Sequence, residues 1–110
     1  TVNPTAVRVP VLIGHAESIY IETKDDIDIN QVKKCLGEFP GISVIDDTES
    51  VDFPTSFEHG HGTDNVYIGR IRRGLDKNNS LNLWVVADNV RKGAALNSVQ
   101  IAEHLIGGKI

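Results

Sequence analysis

At 110 residues the chain fits one domain with a core of limited size. A hydrophobic fraction of 40%, a charged fraction of 24% and a formal net charge of −4 are ordinary for a globular protein; they argue against nucleic acid as a partner, because phosphate binding needs a basic surface. No apolar run approaches the ~20 residues that span a bilayer, nothing resembles a secretory leader, and the single cysteine, Cys35, cannot form an internal disulfide, so we expect a cytoplasmic protein with no membrane partner.

The first predicted element is the apolar run Val7 to Val11, which reads as a buried strand broken by Gly14-His15. Arg8 and His15 stand seven residues apart across it. A guanidinium holds a carboxylate or phosphate with a two-pronged fork. An imidazole passes a proton near neutral pH. An anion clamp beside a proton shuttle suits an enzyme acting on an acidic small molecule. The bland alternatives are a snorkelling arginine and a turn histidine.

Ser18 to Thr23 alternates with period two, Ile19 and Ile21 on one face and Tyr20 and Glu22 on the other, and is a strand. Asp28 is a helix N-cap with Gln31 three residues on. Ile29, Val32, Leu36 and Phe39 follow at helical spacing, and Pro40-Gly41 ends that helix. Cys35 reads as a packing cysteine on or beside the apolar face. Ile42 to Ile45 is a short strand. Asp46 to Asn65 is acidic and turn-rich, a long surface loop expected to pack on a neighbour.

Val66 to Arg73 and Leu81 to Ala87 are strands flanking a polar turn, which predicts an antiparallel hairpin. Arg70, Arg72 and Arg73 are expected in salt bridges to Asp46, Asp47 or Glu49. The last helix starts near Val90 and runs to about Leu105, with Ala95, Val99, Ala102 and Ile106 on one face, His104 on the polar face and Gly107-Gly108 as the stop. Asp88 could cap it. Backbone amides near Gly93-Ala94 are a weak candidate for an anion. His59-Gly60-His61 offers too few ligands for a metal, so no metal is expected and the segment reads as a solvated loop. The pattern predicts an α+β fold with a mixed, mainly antiparallel sheet and helices on one face.

Three blocks carry a family resemblance: Val7 to Glu17, with Arg8 and His15; Gly62-Thr63-Asp64 followed by Val66 to Arg72; and Leu81 through Ala102, which includes Trp84-Val85-Val86-Ala87-Asp88-Asn89-Val90-Arg91-Lys92-Gly93. In order and spacing they resemble the C-terminal part of the aspartate-semialdehyde dehydrogenase family. The resemblance implies a partial glyceraldehyde-3-phosphate-dehydrogenase-like C-terminal domain over 1–110, devoted to dimerisation and substrate binding. It also implies that the final helix, about 90–105, packs on a separate nucleotide-binding domain. No G-x-G-x-x-G loop and no nucleophilic cysteine context occurs here, so we expect a fragment of the larger enzyme, inactive alone.

The implied activity is NADPH-dependent reductive dephosphorylation of L-aspartyl-4-phosphate to L-aspartate 4-semialdehyde, in lysine, threonine and methionine biosynthesis. The resemblance assigns acid–base catalysis to His15, binding of the substrate carboxylate to Arg8, and a place beside the nicotinamide of NADP to Asn89. It implies a homodimer or homotetramer. The alternatives are an N-acetyl-glutamyl-phosphate reductase fragment, with the same chemistry on a longer acid, and a non-catalytic dimerisation module. The block Asn82 to Gly93 favours the aspartyl enzyme.

Overall fold

Three alternating segments and one short apolar run assemble into a single four-stranded sheet in the order β1-β4-β3-β2. In this computed structural model, residues 1–47 and 49–107 are described. Strand β1 is His15–Glu22, β2 is Ile42–Val44, β3 is Val66–Arg73 and β4 is Ser80–Ala87. Helix α1 is Ile29–Glu38 and α2 is Leu96–Leu105. β1 and β3 both run antiparallel to β4, while β2 lies parallel to β3. β1 and β2 therefore point the same way from opposite edges, joined across one face by α1. The α+β class and the mixed sheet are as the pattern predicts.

One face carries the core. Ile68, Ile71, Leu81 and Leu83 are buried together, with Ile19, Ile29, Val32, Leu36 and Val85 packed around them. The period of two in the strands meets the helical period of α1, so each element presents one apolar side to the other. The Asp28 carboxylate accepts from the Asn30 N–H at 2.9 Å and caps α1. Gly41 follows the helix with φ +80°. Phe39 is exposed, and so is Cys35, which is therefore not the packing residue expected: its helical position turns it away from the sheet.

The opposite face is covered by the loop from Asp46 to Asn65, which is more structured than its sequence implies. It contains a single π-type turn, Ser56–Gly60. The Trp84 indole N–H donates to the Pro54 carbonyl at 2.9 Å, and Val86 is fully buried. Gly60 belongs there because a Cβ would stand 2.9 Å from Val86 Cγ1. His59 is not in a solvated loop. Its Nδ1 accepts from the Thr55 N–H at 3.1 Å, and its ring lies 5.6 Å from that of Tyr67. β3 bulges between Gly69 and Arg72, with Arg70 at φ +55°.

Among the described residues, the arginine salt bridges expected in this region do not form. Arg73 reaches back to the Ile27 carbonyl at 2.7 Å, Arg72 donates to the Arg70 carbonyl, and Arg70 lies over the Phe53 ring. Asp46 pairs instead with Lys33 of α1 at 2.6 Å. The bulge explains the difference, since it turns the arginine run away from the regular alternation.

Val7 to Val11 is not a buried strand. It has no sheet partner among the described residues, and Val7, Val9, Val11 and Leu12 are exposed. The Val11 N–H turns back to the Val9 carbonyl at 2.9 Å around Pro10, which has no N–H to offer a ladder. At the other end, a π-type turn, Arg91–Ala95, leads into α2. α2 buries no residue, and His104 is exposed on it.

Candidate active site

The first sheet residue of β1 and the first residues beyond β4 meet at one corner of the sheet. His15 pairs with Ala87 in the β1–β4 register. Two residues past Ala87, the Asn89 side-chain oxygen accepts the Gly14 N–H at 2.8 Å. The sequence separation is 75 residues. His15 is exposed, while Gly14 beside it is buried. Gly14 adopts φ +95°, and a Cβ there would stand 2.9 Å from Ser56 Cβ. Only glycine fits both the conformation and the space.

Asp88 anchors the corner from beneath. It is 3% exposed. One carboxylate oxygen accepts from Val90 N–H at 2.8 Å and Arg91 N–H at 3.0 Å, capping the turn that leads to α2. The other accepts from Gly62 N–H at 2.9 Å. These bonds, led by Gly62 and then Arg91, hold the Asp88 carboxyl below the usual carboxylate range, and the charge of His61 acts in the same direction. Arg91 in turn donates to Asp64 at 2.6 Å. The Gly62-Thr63-Asp64 turn is thereby tied to the end of β4 by two carboxylates.

Of the three site residues expected from the sequence, His15 and Asn89 come together through Gly14. Arg8 does not join them. It is exposed in the irregular 1–13 segment and shares no hydrogen bond, ion pair or strand pairing with either among the described residues. The cap by Asp88 is visible in the sequence; its tie to Gly62 and the packing of Ser56 against Gly14 are not. Cys35 stands apart from this corner. It lies on α1, which packs on β2 and β3, at the far side of the sheet from β1. No group of three or more His, Cys, Asp or Glu among the described residues could hold a metal ion.

The family model for the semialdehyde dehydrogenase dimerisation domain matches residues 1–92. The chain belongs to that family. It is 53% identical over 105 residues to the aspartate-semialdehyde dehydrogenase of Shewanella violacea, covering 96% of this chain and 30% of that one. The Legionella pneumophila aspartate-semialdehyde dehydrogenase is 47% identical over 104 residues, again across 30% of its length. Among solved structures, aspartate semialdehyde dehydrogenase II from Vibrio cholerae, complexed with ASA, superposes with a TM-score of 0.81 at 48% identity, over 89% of this chain and 28% of that one. The chain thus spans about 30% of the length of the dehydrogenases it matches, in the C-terminal dimerisation portion. No described helix is long and apolar enough to cross a membrane.

Proposed function

We propose that the protein carrying this chain is an NADP-dependent aspartate-semialdehyde dehydrogenase, reducing L-aspartyl-4-phosphate to L-aspartate 4-semialdehyde in the cytoplasm. The observation that carries the reading is an exposed histidine at the head of β1, held through its neighbour's amide, in a chain about half identical to such enzymes.

In this scheme His15 as neutral imidazole takes the proton of a thiol contributed by the rest of the protein. The thiolate attacks the acyl phosphate and expels phosphate, leaving a thioester; hydride adds to its carbonyl carbon, the imidazolium donates to the oxyanion that develops, and cleavage of the C–S bond releases the aldehyde and returns the thiol. Arg8 binds the substrate's α-carboxylate; it makes no ion pair among the described residues, which leaves its fork available. Asn89 suits a carboxamide group of the cofactor: its oxygen is engaged by Gly14, and its NH₂ makes no hydrogen bond among the described residues. NADPH, when bound, supplies the hydride. The domain self-associates as a homodimer or homotetramer, and α2 packs on the nucleotide-binding part.

The test is steady-state oxidation of L-aspartate 4-semialdehyde by the whole protein, with NADP⁺ and phosphate. Phosphate-dependent NADPH formation is expected, and Arg8→Lys should raise KM for the semialdehyde roughly tenfold or more with a smaller change in kcat. Preference for N-acetyl-glutamate semialdehyde would move the assignment to the longer-acid reductase. Absence of turnover on both would leave a dimerisation module.

A further inference from the structure

We propose that Asn89 is the positioning residue for His15, its side-chain oxygen fixing where the histidine leaves the backbone; this rests on the acid–base role given to His15 above. The atom facing the Gly14 N–H at 2.8 Å must be an acceptor, so the amide orientation is set by chemistry. Gly14 is the hinge between the irregular, exposed 1–13 segment and the sheet. His15 is the first residue of β1, where a strand frays most easily. The ladder to Ala87 holds it on one side. The Asn89 bond fixes the peptide plane that enters Gly14, one residue ahead of the histidine.

The clamp itself is rigid. Asp88, next in the chain, is held by three backbone N–H groups, so Asn89 projects from a fixed turn. Ser56 of the π-type turn stands against Gly14, at 2.9 Å from where a Cβ would be. One side chain therefore divides its work: oxygen to the backbone of Gly14, next to the histidine, and NH₂ to a carboxamide. Displacing a catalytic group by about an ångström costs on the order of 10²-fold in rate, so a single bond at this hinge has leverage on kcat.

The two halves of the side chain are separated by two variants of the whole protein. Asn89→Ala removes both; Asn89→Asp keeps an acceptor and removes the NH₂. Asn89→Ala should lower kcat about 10- to 100-fold and speed hydrogen exchange in the peptide containing Gly14 and His15. Asn89→Asp should recover most of the kcat and the exchange protection while KM for NADP⁺ rises. Equal loss of kcat in both variants, with Gly14 exchange unchanged from wild type, would overturn the proposal. Should the wild-type protein turn over neither semialdehyde, the dehydrogenase reading fails. Exchange still decides the clamp in that case: protection lost in the alanine variant and kept in the aspartate variant supports it, and equal exchange in all three contradicts it.

Discussion

Asp88 concentrates more of the fold into one side chain than any neighbour, because it satisfies three amides from two segments. Its carboxyl is held low by those amides, first by Gly62. A depressed carboxylate stabilises the fold fully above the unfolded value, near ~3.9, and that contribution is lost as pH falls through the folded value. Asp88→Ala should therefore lower Tm at pH 7 by on the order of 5 °C. The gap to wild type should narrow in acid below pH ~4, as thermal melts at several pH values will read. A gap independent of pH would contradict the assignment. The cap was legible in Asp88 standing two and three residues before the amides it serves. The bond to Gly62 was not, because a separation of 26 residues leaves no local signal. In the core, Ile68→Ala should cost about 2–5 kcal/mol by urea unfolding, since Ile68 is buried among Ile71, Leu81 and Leu83.

Elements were legible where a pattern ran long enough to name its own face. β1, β3 and β4 each span eight residues, and α1 keeps its apolar side through ten. Where pattern depends on a partner, the sequence misled. Val7 to Val11 is as apolar as a buried strand, but Pro10 and the turn around it deny it a ladder. β2 hid its direction because only three residues pair, and its partner β3 begins after a long loop. That loop hid a π-type turn, since nothing in Ser56-Phe57-Glu58-His59-Gly60 is periodic. α2 is legible in its spacing, and as expected of a helix that packs on another domain it stays exposed here, touching little beyond the π-type turn that precedes it. Short helices without tertiary cover are marginal. In the 110-residue chain alone, amides of 96–105 should exchange far faster than those of β3 and β4, measured by hydrogen exchange. Equal protection of the two would mean that α2 is held by something other than its own turn.

At the scale of the whole molecule, two demands meet on one sheet. Its inner face is filled by α1, while its corner holds His15, Gly14 and Asn89 in a bonded set. The candidate site residues are legible as chemistry, an imidazole and a guanidinium in an apolar run. Their arrangement was legible only in part, because Arg8 lies in a segment without partners and Asn89 is 75 residues from Gly14. The chain by itself should not turn over the semialdehyde, since Cys35 sits on α1 across the sheet from His15. The most direct measurement is the kcat and KM of the whole protein with His15→Ala, using L-aspartate 4-semialdehyde, phosphate and NADP⁺. Loss of a general acid–base should lower kcat by on the order of 10²–10⁴ while KM changes little. A His15→Ala enzyme with near-normal kcat would contradict the account.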